Sequence, residues 1–305
     1  MNDAAPAAEV THGESRPPET PLLALAGAAH WPERGVRRAF GGVVPFFTAP
    51  ALEPVEGVDL AIGAREVVGV VGEARAGLAT LARLAAGLLP LHAGKRRWRG
   101  RDVRALRGAE ARRARLKVQI VFNDRSHALD PRLRVMDIIV EAPRAHRMIS
   151  RGQRVEYAGL QLNRVGIDPM AMRRYPYQFS PGERTRIGIA RALAVRPELL
   201  ICDDILSGLD LTDRAQVLNT LLDIHSSLDL GYLLFARDPR TAVHLAERIV
   251  VLERGRVVDA GPTVELLHSP NDAYTRALFA AARLGPGTRE PPDRTGIAAP
   301  TGRNS

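Results

Sequence analysis

The sequence predicts an α/β domain built on a mostly parallel sheet. Short apolar runs alternate with stretches of helical periodicity, and the first run, residues 67–72, is apolar throughout and ends in glycine. A continuous apolar run of this length is typical of a strand buried on both faces of a parallel sheet. Four later runs repeat the pattern, at residues 117–122, 199–203, 232–236 and 248–252. The alternation favours βα units over an all-β or all-α domain.

Helical periodicity follows two of these strands. Residues 78–90 place leucines and alanines on one helical face, and Pro90 is expected to end the pattern. Residues 215–228 read as an amphipathic helix. Residues 124–198 contain helical sequence and no strong strand, which predicts a helical subdomain inserted between two strands of the sheet.

Composition indicates a globular domain with unstructured ends. The chain has 305 residues, of which 45% are hydrophobic and 25% are charged, a balance too apolar for a disordered chain. Residues 1–22 and 285–305 are rich in Pro, Ala, Gly and polar residues, so we expect disordered tails around a domain at 23–284.

Cys202 is the only cysteine, which rules out an internal disulfide and a cysteine-based zinc site. No apolar stretch approaches the roughly 20 residues that cross a bilayer, and the N-terminus lacks a signal pattern, so we expect a soluble, cytoplasmic protein.

The formal net charge of +9 has a local origin. Residues 95–117 hold eleven basic and two acidic side chains, which equals the excess of the whole chain. We interpret this basic segment as a solvated helical surface near anionic lipid headgroups.

A glycine-bounded loop follows the first predicted strand. Residues 72–80 read GEARAGLAT, and Gly72 and Gly77 fit the ends of a phosphate-binding loop G-x-x-x-x-G-K-[ST]. The lysine position is Leu78, however, and the hydroxyl position that would hold Mg²⁺ is Ala79. Taken alone, a G-x-x-x-x-G loop after a strand is more often a tight βα turn than a nucleotide site.

Further segments, in a fixed order, carry a family resemblance. An apolar strand ends in two carboxylates at LLICDD, with YPYQFSPGERTRIGIARAL upstream and SGLD downstream. VQIVFNDRSHALDPRLRVMDII and SPNDAYTRALFAA complete the set, the latter within 263–284. Together these segments resemble the ATP-binding subunits of ABC transporters, in the oligopeptide and dipeptide import branch, over about residues 23–284.

The resemblance implies a fold and an assembly. The fold is the ABC-type ATP-binding domain, a P-loop NTPase sheet core with an antiparallel β part and a helical subdomain. Two such subunits clamp ATP and Mg²⁺ between the phosphate loop of one and the LSGGQ-type signature of the other. The implied partners are a second ATP-binding subunit, two membrane-spanning permease subunits and, indirectly, an extracytoplasmic solute-binding protein. Because a homodimer would build every site from the altered motifs of this sequence, we expect a heterodimer. The location is the cytoplasmic face of the inner membrane, and no nucleic acid is expected.

Site residues follow from the same resemblance. Nucleotide contacts fall on Trp31, Gly72, Glu73, Arg75, Gly77, Leu78, Ala79, Thr80, Ser180, Gly182, Glu183 and Asp210. Mg²⁺ contacts fall on Asp203 and Asn123, and catalytic positions on Asp204, Asn123 and Arg237. For Trp31, packing against the first strand is an equally open interpretation. Thr80 keeps a hydroxyl close to the loop, and Arg75 or Arg237 could supply the missing positive charge.

The sequence departs from the family pattern at most of these positions. The phosphate loop lacks its lysine and its first hydroxyl, and Arg75 stands where the family has glycine. The signature LSGGQ is FSPGE here, in which Pro181 removes one N–H and Glu183 adds negative charge. Aspartate replaces the catalytic glutamate, asparagine the Q-loop glutamine and arginine the switch histidine. These changes predict a catalytically impaired subunit that works beside an active paralogue.

Two alternatives stay open. Asp204 and the arginines could sustain a slow but functional transport ATPase. The basic segment could instead indicate a nucleic-acid-associated ABC protein, although such proteins usually carry two fused ATP-binding domains and this chain has length for one.

Overall fold

The computed structural model describes residues 20–32, 52–123 and 128–285. These residues form ten strands and nine α-helices. The strands are β1 (Leu23–His30), β2 (Val55–Ile62), β3 (Val67–Val71), β4 (Ala93–Trp98), β5 (Arg101–Asp102), β6 (Val118–Phe122), β7 (Leu199–Asp203), β8 (Gly231–Ala236), β9 (Arg248–Glu253) and β10 (Arg256–Pro262). The α-helices are α1 (Leu78–Ala86), α2 (Gly108–Lys117), α3 (Val135–Ala145), α4 (Arg154–Arg164), α5 (Pro181–Leu193), α6 (Leu211–Ser227), α7 (Pro239–Leu245), α8 (Thr263–His268) and α9 (Ala273–Ala281). Apart from residues 20–22 and 285, the predicted tails lie outside the described residues, and so do residues 124–127.

Six strands form the central sheet, in the order β10-β9-β3-β8-β7-β6. All neighbours are parallel except β9 and β10, which form an antiparallel pair at one edge. Strands β3, β7 and β8 are buried along their whole length. The predicted parallel sheet is confirmed, and its five apolar runs are five of its six strands.

A second sheet is antiparallel and has the order β2-β1-β4-β5. Leu23 of β1 lies opposite Ile62 on one side and Trp98 on the other. The resemblance implied such a sheet. Helix α1 packs between the two sheets, because Leu81 and Leu84 are fully buried in one apolar cluster with side chains from both.

Helix ends differ from the predicted ones for local reasons. Helix α1 ends at Ala86 rather than near Pro90, because Gly87 adopts a left-handed conformation (φ 76°) that closes the last turn. Helix α6 begins at Leu211, four residues earlier than predicted. There the Asp210 side chain accepts a hydrogen bond from the Asp213 N–H and caps the helix.

Helices occupy the chain between β6 and β7. Among residues 128–198 we find α3, α4 and α5 together with short 3₁₀ turns, and no strand. Side chains of these helices join those of α6 and α7 in a second apolar cluster, on the other face of the central sheet. In the described parts of the chain, no helix has the length and apolar character needed to cross a bilayer.

Gly69, in the middle of β3, allows helix α7 to lie directly on the sheet. A Cβ at this position would come within 2.7 Å of the Ala242 Cβ and 3.1 Å of the Ala246 Cβ. We predict that Gly69→Ala lowers the free energy of unfolding by about 1–3 kcal/mol, the usual cost of overpacking a core. Urea denaturation measures this value. Gly152→Ala is the matched control, because nothing lies within 4 Å of its added Cβ. Equal stability of the two variants would contradict the packing described here.

Candidate functional site

Residues 72–77 form a tight turn between β3 and α1. A Cβ on Gly72 would lie 2.3 Å from the Leu252 carbonyl oxygen, so only glycine fits there. Gly77, with φ 97°, precedes the first residue of α1. The first N–H groups of a helix have no partner within the helix. This turn therefore presents backbone donors, the groups that bind phosphate at the start of a helix.

The side chains at the start of α1 add no positive charge to those donors. Leu78, the first residue of α1, is 7% exposed and packs in the core, and Ala79 carries no polar side-chain group. Thr80 is 1% exposed, and its hydroxyl donates to the Glu53 carbonyl oxygen at 2.7 Å. The Arg75 side chain is 88% exposed, and its Nε lies 4.0 Å from the Glu53 Oε1. The hydroxyl expected beside phosphate is thus engaged by the protein, and Arg75 extends into solvent.

Arg75 also adopts an uncommon backbone conformation. Its φ is 71°, in the left-handed region that favours glycine. The family pattern has glycine at this position, and the structure shows the same turn built with arginine. The strain of such a residue is of order 1–3 kcal/mol, which the surrounding turn must offset.

Tyr274 connects the turn to the C-terminal helix α9. The Glu73 N–H donates to the Tyr274 hydroxyl oxygen at 3.0 Å. Burial raises the pKa of Tyr274 above its usual range. Sequence reasoning singled out Glu73 for nucleotide contact and missed Tyr274, although this tyrosine lies within SPNDAYTRALFAA. One backbone donor of the turn is therefore already bound to the chain.

Two carboxylates stand at the end of β7. Asp203 is 8% exposed, and burial raises its pKa above the ordinary value, an effect that the nearby Arg83 guanidinium partly offsets. The Arg83 Nη2 lies 3.9 Å from the Asp203 Oδ2. Arg83 was not predicted as a site residue. Its position one helical turn after Ala79, on the same face of α1, is the signal that sequence reasoning missed.

Asp204 is held by Arg237 from the end of β8. The Arg237 Nε and Nη2 lie 2.7 and 2.6 Å from the same oxygen, Asp204 Oδ2, and Nη2 also donates to the Ser207 hydroxyl at 2.7 Å. The Asn123 side-chain amide donates to the Asp204 and Ser207 carbonyl oxygens, at 2.8 and 3.1 Å. The structure thus brings the three predicted catalytic positions together, linked to one another by hydrogen bonds.

The FSPGE segment begins helix α5. The Ser180 hydroxyl accepts from the Glu183 N–H at 3.1 Å, and the Glu183 carboxylate accepts from the Ser180 N–H at 2.8 Å. This reciprocal pair is a capping box, with Pro181 in the first helical position where its missing N–H costs nothing. Glu183 therefore caps its own helix. The Asp213 carboxylate of α6 also contacts this segment. Asp210, predicted to contact nucleotide, caps α6.

Trp31 follows the last residue of β1. The residue is 47% exposed, and its ring stacks on the His92 ring with 5.8 Å between the centroids. The preceding residue, His30, pairs with Val55 of the neighbouring strand β2. The Val55 side chain would lie 3.1 Å from a Cβ added to Gly77, so it is close to the turn. Trp31 thus lies at the same end of the sheet as the phosphate-type turn. Contact of this ring with adenine remains a prediction, and so does packing against the first strand. The observed neighbour of the ring is His92.

The residues present fit phosphate better than Mg²⁺. Magnesium prefers about six oxygen ligands in octahedral geometry. Asp203 is buried beside a guanidinium, Ala79 has no ligand oxygen, and Asn123 directs its amide nitrogen at main-chain carbonyls. Among the described residues, no group of three or more His, Cys, Asp or Glu side chains is arranged to hold a metal. The backbone donors of the turn suit a phosphate group, but the side chains do not provide a magnesium site.

Fold and site together define an ATP-binding domain of the ABC type. Two solved structures share the fold at low identity: cbiO1 from Clostridium perfringens, described as part of an ABC transporter complex (TM-score 0.65, 19% identity, 81% of this chain and 91% of that chain), and the ATP-binding cassette MJ0796 bound to ADP and Pi (TM-score 0.64, 20% identity, 79% and 99%).

Sequence relatives identify the family. The ABC transporter family model matches residues 55–207. The probable peptide ABC transporter ATP-binding protein y4tS of Sinorhizobium fredii is 39% identical over 233 residues, which are 76% of this chain and 66% of the relative. The oligopeptide transport ATP-binding protein OppF of Salmonella typhimurium is 37% identical over 234 residues, 76% and 70% of the two chains. The chain belongs to the ABC transporter family.

We predict that Asp203→Asn raises the free energy of unfolding at pH 7, by about 1 kcal/mol, because folding no longer buries a charged carboxylate. A carboxylate whose folded pKa is raised binds more protons in the folded state than in the unfolded state. Its contribution to stability therefore falls as pH rises above the unfolded value of 3.8. The advantage of the variant should grow between pH 4 and the raised folded pKa.

Urea denaturation at several pH values measures this difference. Asp223→Asn, which removes an exposed carboxylate from α6, is the control and should show no such pH dependence. If Asp203→Asn were less stable than the native chain at pH 7, attraction to Arg83 would outweigh the cost of burial, contrary to our account.

Proposed function

We propose that the chain is an ATP-binding subunit of a membrane importer for peptides or related small solutes, and that its own site contributes little ATP hydrolysis. The relatives from Sinorhizobium and Salmonella are named as peptide and oligopeptide transport proteins, which supports this solute class. Both match three quarters of the chain.

The Asp204–Arg237 pair carries the proposal of weak hydrolysis. A carboxylate that polarises water must present an oxygen to it at hydrogen-bond distance. Here Oδ2 is engaged by two guanidinium nitrogens, and the Asp204 main-chain carbonyl is tied to Asn123. Freeing Oδ2 requires breaking an ion pair whose arginine side chain is 46% exposed, at a cost of up to about 1 kcal/mol.

The phosphate turn supports the same conclusion. Leu78 supplies no charge to a phosphate, and its side chain is packed in the core rather than directed to a ligand. Loss of one preorganised donor typically slows a reaction about 10²–10³-fold. We therefore propose weakened nucleotide binding through backbone N–H groups alone, without a coordinated Mg²⁺.

The assembly we propose is a heterodimer with a second ATP-binding subunit, bound to two permease subunits at the cytoplasmic face of the membrane. In a homodimer, every composite site would be built from the same Leu78 turn and the same FSPGE segment. In a heterodimer with an active second subunit, ATP hydrolysis by that subunit would generate the motion, and this chain would transmit it to the permease subunits.

A slow transport ATPase is the second candidate. One observation favours it: Asp203 and Asp204 stand together at the end of β7, and Asp203 lies 3.9 Å from Arg83 of α1, the helix that follows the phosphate-type turn. In this case Asp204 would have to leave Arg237 during each turnover.

One experiment on the native complex tests these proposals. We expect the tagged full chain, purified from its own membranes, to recover two permease subunits and a second ATP-binding subunit. ATP hydrolysis by this complex should change less than twofold when the chain carries Asp204→Asn. It should fall about 10²-fold or more when the catalytic carboxylate of the second subunit is replaced. Asp223→Asn in the chain is the matched control.

A loss of hydrolysis with Asp204→Asn would establish the slow ATPase instead. Recovery of nucleic acid in a salt-sensitive manner, without permease subunits, would contradict the importer assignment.

A further inference from the structure

The start of helix α5 binds a carboxylate from its own chain. The Ser180 hydroxyl donates to the Asp213 Oδ1 at 3.1 Å, and the Gly182 N–H donates to the Asp213 Oδ2 at 2.9 Å. Each carboxylate oxygen therefore has its own donor. Asp213 lies in the first turn of α6, and the Asp210 cap fixes that turn in place.

Gly182 is shaped for this contact. A Cβ at position 182 would lie 2.4 Å from both the Cγ and the Oδ1 of Asp213. Gly182 is buried, while Asp213 and Ser180 are half-buried. The carboxylate thus occupies the space that a side chain at 182 would need, and only glycine permits its approach.

An anion is the ligand that this end of α5 prefers. The first N–H groups of a helix carry partial positive charge, and a hydroxyl and an N–H aimed at the same point favour negative charge there. Phosphate oxygens and carboxylate oxygens accept hydrogen bonds from the same donor groups. A carboxylate in the same chain has the advantage of a high effective concentration over any anion from solution.

We infer that Asp213 is an internal anion that occupies the donors of the FSPGE segment and so determines that this segment does not bind the phosphate of a nucleotide. The inference rests on the proposed function, because it concerns the segment that would face the nucleotide of the second subunit. Asp213 is a positioning residue, because it acts by holding the hydrogen-bond donors of Ser180 and Gly182.

The same contact joins two parts of the fold. Helix α5 belongs to the helical region between β6 and β7, whereas α6 follows β7 of the central sheet. A second bond links the two helices, from the Arg186 Nη2 to the Gln216 Oε1 at 3.0 Å. Asp213 and Gln216 thus fix the start of α5 against α6 through contacts within the chain.

The test uses the full chain and inorganic phosphate, followed by thermal unfolding. A ligand that binds only the folded state stabilises it according to its concentration relative to Kd. We expect Asp213→Ala to gain a phosphate-dependent rise in Tm of about 2–4 °C at ten times its Kd. This rise is additional to any that the native chain shows through its turn at residues 72–77. Asp223→Ala, which removes an exposed carboxylate from the same helix, should respond like the native chain.

Two further variants assign the effect to this segment. Adding Ser180→Ala to Asp213→Ala should abolish the gain, because the hydroxyl donor is lost. Asp213→Asn keeps the shape and one acceptor without the charge, so it serves if the alanine variant fails to fold, and it should show a smaller gain. A Tm response equal to that of the native chain in both Asp213 variants would overturn the inference, and so would a gain that survives Ser180→Ala.

These outcomes are separate from the hydrolysis experiment. If the chain proved to be a slow ATPase but the additional phosphate protection still appeared only in the Asp213 variants, the proposed function would fail and the inference would stand. If this chain contributed no hydrolysis while the Asp213 variants responded to phosphate like the native chain, the inference would fail and the proposed function would stand.

Discussion

The site depends on how the chain satisfies the two carboxylates at the end of β7. Charges inside a protein must be paired or hydrogen-bonded, because removing them from water is costly. Asp203 and Asp204 sit where a parallel strand leaves the sheet, and the chain provides Arg83 from α1 and Arg237 from the end of β8. Arginine suits this purpose, because its planar group donates several hydrogen bonds and stays charged. Arg237 engages one oxygen of Asp204 directly, whereas Arg83 offsets only part of the cost of burying Asp203.

The same principle recurs around the site. The phosphate-type turn gives one backbone donor to Tyr274 and the Thr80 hydroxyl to Glu53. The start of α5 gives its donors to Glu183 and Asp213. Groups that a nucleotide and Mg²⁺ would engage in a hydrolytic site are bound to other parts of this chain. Contacts within the chain therefore fix these groups in position.

Much of the fold follows from local patterns in the sequence. Apolar runs predicted five strands of the central sheet, because strands buried on both faces need continuous apolar sequence. The antiparallel sheet came only from the family resemblance. Strand β4, for example, alternates exposed and half-buried residues and carries Lys95 and two arginines, so no apolar run marks it. Motifs in the sequence also predicted the glycine-bounded turn and the positions of Asp204, Asn123 and Arg237.

The sequence did not predict the contacts that Arg83, Tyr274 and Asp213 make with the site, because these contacts join residues 120, 201 and 31 positions apart. Only the fold brings these segments together.

The central claim is that internal guanidinium groups, and not Mg²⁺, balance the carboxylates of the site. Isothermal titration of the full chain with ATP, once with Mg²⁺ and once with the metal chelated, tests it most directly. Because Ala79 offers no ligand and Asp203 is already beside Arg83, we predict that the two Kd values agree within about threefold. Binding that strengthens tenfold or more when Mg²⁺ is added, a gain of about 1.4 kcal/mol, would show that the site recruits the metal and would contradict the account.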